Sequence, residues 1–497
     1  MGNGKRILPL IAALVLALGL ALALGGCAQT AGSGQSGSSA QSASAQSASA
    51  ASGESAASST ATAQSSGSAE QSASGQAAAT ELDFDDPGDG YKLQQVVVLS
   101  RHNIRAPLST TGSALDKATP HQWIDWTSNA SELSMRGGTL ETMMGEYVRK
   151  WLESEELIPE NYQPEKGKVR FYANGKQRTI ATAQYFSSGM LPVANVDIET
   201  HADYDKMDPV FTPATTFVSD AYVDAALKQI ETMGGAKGMA DVASGLADSY
   251  ALIEDVVDYT DSEGYKSGEL KDLDTTDTQV TIELDKEPAV SGSLKTACQL
   301  ADALVLQYYE APNAIDAAFG NDLTMEQWKL VSESKDFYVD LLYTAPLVAA
   351  NVAHPLLAEI GNELDAEGRE FTFLCGHDSN VGSVLAALGV EDYELPGAIE
   401  AKTPIGCKLV FERWANADGK QFGRVRLLYQ NVEELREGTM LSGTVSPESV
   451  ELSFDGLQKN ADGMYAYDDL RKRVADATAE YDRIVQEYGQ EELAQAA

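Results

Sequence analysis

Two short polar clusters carry residue types that suit phosphoryl transfer, and the first of them surrounds His102. Arg101 and Arg105 flank this histidine within Ser-Arg-His-Asn-Ile-Arg-Ala-Pro. Each guanidinium group can hold two phosphoryl oxygens while a neutral imidazole attacks phosphorus. The positive charges also lower the pKa of the imidazole, so that it stays unprotonated at low pH. The bare residues are equally compatible with a strand end that carries solvated arginines.

The second cluster is Gly376-His377-Asp378-Ser379-Asn380, which offers a hydrogen-bond donor and a carboxyl group. A phosphate monoester needs a proton on its leaving alkoxide, and Asp378 delivers it if burial or nearby negative charge keeps the carboxyl protonated. His377 would then donate a hydrogen bond to a phosphoryl oxygen. The alternative is structural, since Asp is frequent at helix N-termini and histidines often pack beside it.

Arg178 adds a third cation, at the start of a helical pattern that follows Asn174-Gly175. The helix dipole disfavours a positive charge at a helix N-terminus, and an anion bound there would offset that cost. The alternative is an exposed arginine paired with one of the many carboxylates of the chain.

Short apolar runs of strand length precede all three of these places, and helical patterns follow the second and third. Together they predict an α/β fold whose central mixed, largely parallel sheet is flanked by helices. Ligands bind beyond the carboxyl ends of the strands in such sheets, which is where the polar residues fall. The early strands are expected at Leu93–Ser100, Val169–Ala173 and Phe371–Cys375, and later ones, antiparallel at an edge, at Gly406–Trp414 and Arg424–Gln430.

Helical periodicity dominates the chain between about residues 215 and 350. We interpret the part from about 200 to 290 as a smaller helical lobe inserted into the sheet domain.

Taken together, the motifs resemble the Arg-His-Gly-x-Arg-x-Pro and His-Asp signatures of the histidine acid phosphatase family. The resemblance runs from about residue 90 to 475 and implies a catalytic region over 81–490 with a phosphoglycerate-mutase-like fold. Within the family the chain is most similar to the periplasmic glucose-1-phosphatases, which also have Asn at the position of Asn103, followed by Ala-Pro-Leu. Four further stretches look alike, namely Met207–Phe211, Val290–Gly292, Leu306–Glu310 and Thr403–Gly406.

The resemblance implies a role for each residue of the motifs. His102 would be the nucleophile that forms a phosphohistidine, Asp378 would be the proton donor, and no cofactor or metal would be needed. The phosphoryl oxygens would be held by four side chains, those of Arg101, Arg105, Arg178 and His377.

Residues that contact the rest of the substrate are harder to identify. In the glucose-1-phosphatases an acidic side chain just before the Met-Asp-Pro stretch lies at the mouth of the pocket, and the resemblance implies a similar residue here. Asp203, Tyr204 and Asp205 stand there, one residue closer than in the relatives, and the alternative is that they are solvated loop residues. Asn103 is a further pocket candidate. The remaining histidines, His121, His201 and His354, have no motif around them and are assigned no role.

The N-terminus has the pattern of an export signal. Lys5 and Arg6 precede the apolar stretch Ile7–Leu24, and Leu-Gly-Gly-Cys27 resembles the lipobox of bacterial lipoproteins. Residues 1–27 are therefore predicted to be a signal peptide that is cleaved before Cys27. A lipid on this cysteine would hold the exported chain on the outer side of the cytoplasmic membrane, at the cell surface or in a periplasm. The alternative is an ordinary transmembrane helix.

Residues 28–80 are nearly all Ser, Ala, Gly, Gln and Thr, a composition that predicts a disordered tether. The whole chain has 497 residues and a formal net charge of −38, which excludes a nucleic-acid-binding surface. Besides Cys27 there are three cysteines without metal-ligand spacing, Cys298, Cys375 and Cys407. One disulfide among them would be compatible with export, but burial of all three is the expected arrangement.

The sequence thus favours an extracytoplasmic acid phosphatase that acts on small phosphate monoesters, with sugar phosphates such as glucose 1-phosphate as its substrates. A phytase of the same family is the alternative enzyme. A phosphoglycerate-mutase-like transferase is disfavoured by export, because its substrates are mainly cytoplasmic. A lipoprotein that binds a ligand without catalysis is the alternative from another class of protein.

Overall fold

The computed structural model describes residues 87–88, 90–108, 114–442 and 444–495. These residues belong to one compact unit, Ala77–Ala497. The predicted signal peptide at 1–27, the lipidation site Cys27 and the tether at 28–80 lie outside the described residues.

The strands of the described ranges divide into one mixed seven-stranded sheet and one separate hairpin. The strands are β1 (Tyr91–Arg101), β2 (Val169–Ala173), β3 (Gln279–Thr281), β4 (Ala289–Ser291), β5 (Phe371–Gly376), β6 (Lys408–Asn416), β7 (Gln421–Tyr429), β8 (Glu448–Glu451) and β9 (Tyr465–Ala466). The order in the sheet is β2-β5-β1-β6-β7-β8, with β9 also paired to β7, and the hairpin consists of β3 and β4.

The predicted mixed sheet is confirmed, but its antiparallel part is larger than expected. Only β2, β5 and β1 run parallel, whereas β6 pairs antiparallel with β1 and β7 pairs antiparallel with β6, β8 and β9. The turn at 417–420 between β6 and β7 has only a few residues, and so short a connection can join only antiparallel neighbours. The parallel strands are those that end in the polar residues.

Helices cover both faces of the sheet. They are α1 (Ala114–Lys117), α2 (Met135–Ser154), α3 (Gln177–Met190), α4 (Asp220–Met233), α5 (Val242–Gly245), α6 (Ala247–Val256), α7 (Glu263–Lys266), α8 (Ser293–Glu310), α9 (Ala314–Ala317), α10 (Met325–Tyr343), α11 (Pro346–Leu364), α12 (Asp378–Ala387), α13 (Val432–Glu437) and α14 (Tyr467–Gln495).

The central strand β1 shows why both faces are covered, because its apolar residues are buried in both directions. Val96 and Val98 pack in a core with α2 and α3, while Val97 and Leu99 pack in a second core with α11, α12 and α14. A strand buried on both faces reads in the sequence as a continuous apolar run.

A third core joins the helices that precede β5. Tyr250 of α6, Leu294 of α8 and Trp328 of α10 are members of it. Helices α4 to α7 and the β3-β4 hairpin fall within the range where the sequence predicted an inserted lobe. They share this core with α8 and α10, and the lobe as a separate unit stays a prediction.

Within the described ranges no single helix has the length and apolar composition of a membrane span. Helices α10 and α11 reach these values only when taken together, and they are bent by 81° relative to each other.

Candidate active site

The parallel strands bring the two polar clusters together at the carboxyl ends of β1 and β5. Arg101 at the end of β1 pairs in register with Gly376 at the end of β5. The His102 N–H donates to the Gly376 carbonyl at 3.0 Å, and the rings of His102 and His377 lie 5.4 Å apart. On the other side of β5, the Asn174 N–H at the end of β2 donates to the Cys375 carbonyl. The clusters that the sequence placed at strand ends therefore form one site.

A cavity of about 470 Å³ opens beyond the carboxyl ends of these strands. His102, Arg105, Arg178, His377 and Asp378 all line it. Arg101 is 1% exposed and does not line the cavity, but it contacts Asp378, which does. All six residues of the predicted catalytic and phosphate-binding set are thus in or directly beside the same cavity.

His102 is held in one tautomer by the backbone. Its Nδ1 lies 2.9 Å from the carbonyl oxygen of Asn103, which can only accept a hydrogen bond. Nδ1 therefore carries the proton, and Nε2 keeps its lone pair. Burial, followed by the charges of Arg178 and Arg105, holds the pKa of His102 well below its usual value. The residue is an oriented, neutral imidazole.

Each of three arginines near this imidazole has one hydrogen-bond donor without a partner. In the described part of the chain, the buried Nε–H groups of Arg101, Arg105 and Arg178 have no hydrogen-bond partner. Leaving a buried donor unpaired costs about 1 to 3 kcal/mol, more when it is charged. An anion bound among these arginines would supply hydrogen-bond acceptors for such donors.

Other nitrogens of Arg101 and Arg105 are anchored by the protein. Arg101 donates through Nη1 to Glu400 and to the Thr403 carbonyl, and Arg105 donates through Nη2 to Asp302 at 3.1 Å. Arg178 stands in the first turn of α3, and burial together with the charge of Arg105 lowers its pKa to about 10. Arg105 and Arg178 repel each other, and a bound anion would offset this unfavourable interaction.

His377 is oriented by Asn174. The Asn174 Nδ2 lies 2.7 Å from His377 Nε2, and the Asn174 Oδ1 accepts the Asp208 N–H, which fixes the direction of the amide. His377 Nε2 therefore accepts, and its Nδ1–H is the group that lies beside Arg178, 3.3 Å from Nη2. Burial and the charge of Arg178 hold the pKa of His377 well below its usual value. This ring is a neutral donor at the cavity.

Asp378 begins α12 and contacts two cations. Its Oδ2 lies 3.3 Å from Arg101 Nη2 and 3.9 Å from Lys335 Nζ. Burial raises the pKa of Asp378, but the charges of Arg101, Lys335 and Arg105 outweigh this effect and hold the pKa well below its usual value. This corrects the sequence expectation that burial or neighbouring negative charge keeps the carboxyl protonated, because the sequence did not indicate how many cations surround it.

The pocket candidates of the sequence lie elsewhere. The Asn103 side chain is buried and donates to Glu141 at 2.8 Å, and it is not part of the cavity lining. Asp203 and Tyr204 are exposed residues on a loop outside the lining, and the neighbouring Asp205 pairs with Lys176. This loop packs against Gly175 instead of reaching over the cavity.

Glu287 and Asp302 are the acidic side chains that the structure brings into the cavity besides Asp378. Glu287 arrives on the β3-β4 hairpin, and burial raises its pKa. Its place beside Val290–Gly292, one of the stretches that supported the resemblance, was the signal that sequence reasoning missed. Asn174 and Lys335 were also missed, because they belong to no motif.

The cysteines follow the expected burial in two cases out of three. Cys375 and Cys407 are buried, whereas Cys298 is half-buried and lines the cavity, and all three are free thiols. The described residues contain no group of three or more His, Cys, Asp or Glu side chains arranged to hold a metal ion.

Comparisons with known proteins agree with this architecture. Residues 92–430 match the family model of the histidine phosphatase superfamily (branch 2). The chain is 37% identical over 391 residues to the glucose-1-phosphatase of Providencia rettgeri, which covers 78% of this chain and 92% of the relative. It is 30% identical to the phytase AppA of Escherichia coli (strain K12), over 75% of this chain and 89% of the relative.

Among solved structures, the apo form of Hafnia alvei phytase superposes with a TM-score of 0.71 at 27% identity. The superposition covers 78% of this chain and 98% of the phytase. The phytase of Citrobacter braakii gives the same TM-score of 0.71 at 26% identity, over 79% of this chain and 98% of the phytase.

Proposed function

The chain belongs to the histidine phosphatase superfamily (branch 2) and is a phosphatase, and from this premise we propose that it hydrolyses small sugar phosphates such as glucose 1-phosphate through a phosphohistidine. The observation that carries the proposal is the set of three buried arginine Nε–H groups without partners around a neutral, oriented imidazole. A phosphoryl group supplies the oxygen acceptors that these donors lack.

In the first step, His102 Nε2 forms a bond to phosphorus as the bond from phosphorus to the ester oxygen breaks. The three arginines and His377 Nδ1–H stabilise the charge on the non-bridging oxygens. Asp378 gives its proton to the leaving oxygen. A phosphoryl dianion next to Asp378 balances the surrounding cations and raises the pKa of the carboxyl, so that the proton is present in the substrate complex.

In the second step, water attacks the phosphohistidine. The Asp378 carboxylate takes a proton from this water, the Nε2–phosphorus bond breaks, and inorganic phosphate leaves. His102 returns to its neutral form, and Asp378 is again protonated in readiness for the next ester.

Glu287 and Asp302 support a sugar as the leaving group. Carboxylates accept hydrogen bonds from hydroxyl groups, and they repel additional phosphate groups in the same cavity. The second candidate, a phytase, is favoured by a different observation, because Lys176, Lys295 and Lys335 also line the cavity. Both kinds of enzyme occur among the relatives.

The test measures kcat/KM for glucose 1-phosphate and for inositol hexakisphosphate in the presence of EDTA. We expect the higher value for glucose 1-phosphate, and the reverse order would favour the phytase. With ³²P-labelled substrate quenched in base, we expect label in the peptide that contains His102 and none in the His102→Ala variant. Absence of hydrolysis of any phosphomonoester would favour a protein that binds a ligand without catalysis.

We also propose that the protein is exported and lipid-anchored through Cys27, as the sequence pattern of residues 1–27 indicates. Substrates would then be extracytoplasmic phosphomonoesters.

A further inference from the structure

Lys335 is a buried cation that the proposed reaction does not use. It lies on α10, its residue is 5% exposed, and it lines the cavity beside Asp378. Its Nζ is 3.9 Å from Asp378 Oδ2. Among the described residues this ion pair is its one salt bridge, and its ammonium donates no hydrogen bond.

The backbone around Lys335 is firmly placed. Helix α10 begins with a capping box between Thr324 and Gln327. The next residue in the chain, Asp336, accepts from the Ala401 N–H and the Ser332 hydroxyl and is not part of the cavity lining. Asp378 is therefore the carboxylate that Lys335 faces in the cavity.

Arg101 contacts the same carboxylate but has other partners. It is bonded to Glu400 and Thr403, and its free Nε–H is available to a phosphoryl oxygen. A phosphoryl dianion would engage Arg101 and neutralise much of its effect on Asp378. Lys335 is then the cavity-lining cation that still pairs with Asp378, although its charge also lowers the pKa of Asp336 outside the cavity lining.

Building on the proposed role of Asp378 as the acid, we propose that Lys335 is a positioning residue that holds this carboxyl beside the leaving oxygen and sets the pH range in which it delivers a proton. A buried ammonium needs a counter-charge, which fixes the carboxylate in place. The pairing also favours the charged carboxylate that must receive a proton from water in the second step.

The sign of the effect follows from the charge. A cation near a carboxyl favours its ionised form, so removal of the Lys335 charge raises the pKa of Asp378 and keeps it protonated to higher pH. The other charged or titratable groups around Asp378 and Lys335 remain in place, namely Arg101, Arg105, Arg178, His377, Glu287, Asp302, Asp336, Tyr343, Cys298 and Cys407. The variant removes one cation, and because Lys335 also lowers the pKa of Asp336, an ester that needs no proton must serve as the internal control for that second carboxyl.

The experiment measures the single-turnover rate of enzyme phosphorylation against pH, with an alkyl phosphate and with p-nitrophenyl phosphate, in the full chain. For Lys335→Gln we expect the alkaline limb of the alkyl phosphate profile to move up by about one pH unit or more. The p-nitrophenyl phosphate profile should not move, because this leaving group needs no proton. Lys335→Arg, which keeps the charge, should retain the wild-type limb.

Lys329→Gln is the matched control, because it removes the same charge from an exposed position of α10. Its profile should coincide with that of the wild type. Lys335→Met provides a second neutral variant of similar length if Lys335→Gln does not fold, since an apolar side chain is tolerated in a buried place. An unmoved limb in the neutral variants would overturn the proposal, and so would a raised KM for both esters without any shift in pH.

Asp378→Asn separates a failure of this inference from a failure of the proposed function. If Asp378→Asn slows the alkyl phosphate by about 10²- to 10⁴-fold and leaves p-nitrophenyl phosphate nearly unchanged, Asp378 is the acid. An unmoved limb in Lys335→Gln would then count against Lys335 alone. Equal loss on both esters in Asp378→Asn would remove the acid role and the inference with it.

Discussion

Burial and nearby arginines keep His102 neutral, and a backbone carbonyl orients its ring. Burial has the largest effect on its pKa, the charges of Arg178 and Arg105 add to it, and the Asn103 carbonyl selects the tautomer. A nucleophile of this kind does not need to lose a proton at low pH, which suits an acid phosphatase. The acidic limit of activity is therefore expected to come from the protonation of other groups.

Glu287 is the residue whose replacement we expect to change substrate preference. Because burial raises the pKa of Glu287, the comparison is made at a pH where this carboxyl is ionised. In Glu287→Gln, the cavity then loses a negative charge that repels the additional phosphates of inositol hexakisphosphate. We expect kcat/KM for this substrate to rise by about five- to tenfold relative to glucose 1-phosphate, as one partly solvated charge would allow. The measurement is the ratio of kcat/KM for the two substrates.

Glu283→Gln provides the comparison for this prediction. Glu283 lies on the same hairpin segment, is exposed, and pairs with Lys286 instead of lining the cavity. The same chemical change there should leave the ratio as in the wild type. An equal change of the ratio in both variants would show that net charge, and not the position of Glu287, decides the preference.

Some residues of the site stand in recognisable sequence motifs, whereas others reach it only through tertiary contacts. His102, Arg105, His377 and Asp378 stand in short motifs directly after apolar strands, so local sequence was sufficient to propose them, and the structure brings them to one cavity. Lys335 reaches the cavity only because α10 packs beside α12, and Glu287 and Asn174 depend on tertiary contacts in the same way. No local pattern encodes such contacts.

Helices α2 and α3 meet through two glycines, and this contact places Arg178. A Cβ atom on Gly145 would lie 2.1 Å from the Phe186 carbonyl oxygen, and one on Gly189 would lie 2.0 Å from the Thr142 carbonyl oxygen. The two helix backbones are thus as close as glycine permits. Arg178 stands in the first turn of α3, so its position at the cavity depends on this approach.

Gly145→Ala should therefore destabilise the protein and weaken substrate binding. The added methyl group must push α3 away from α2, and we expect a loss of about 1 to 3 kcal/mol in the free energy of unfolding. Urea denaturation measures this loss, and an increase in KM would report the displacement of Arg178.

Gly361→Ala is the corresponding substitution in a helix with room for the methyl group. Its nearest contact would be Val474 Cγ1 at an ordinary 3.7 Å. Alanine is the better helix former, so a gain of about 0.5 to 1 kcal/mol is expected. If Gly145→Ala were as stable as the wild type, close packing of α2 and α3 would not be what positions Arg178.

At the level of elements, the early strands could be predicted, whereas the order of strands could not. The apolar runs at β1, β2 and β5 are continuous because both faces are buried. Pairing of β6 with β1 brings together segments that are far apart in the chain, and strand periodicity contains no information about such partners. The balance of parallel and antiparallel pairs therefore emerged only from the structure.

For the whole molecule, the proposed anchor makes a prediction that separates it from a membrane span. Cys27→Ser removes the sulfur that would receive the lipid but leaves the apolar stretch Ile7–Leu24 unchanged. We expect the wild-type protein to incorporate labelled palmitate and to sediment with membranes. The variant should incorporate no label.

The size and location of the variant then distinguish the two interpretations. Processing by another signal peptidase would release Cys27→Ser from the membrane as a shorter chain. An uncleaved, membrane-bound variant combined with an unlabelled wild type would favour the transmembrane helix. In either case phosphatase activity should persist, because every residue that lines the cavity comes after residue 100.

Strand β5 lies between β1 and β2, although both of these precede it in the chain by well over a hundred residues. Strand β5 is synthesised last of the three and must insert between the other two. His377 and Asp378 follow it directly in the chain and reach the site only with it. A nascent polypeptide from which β5 has not yet emerged consequently has no assembled catalytic centre. Until β5 has been synthesised, topology alone would keep the chain inactive toward phosphorylated metabolites.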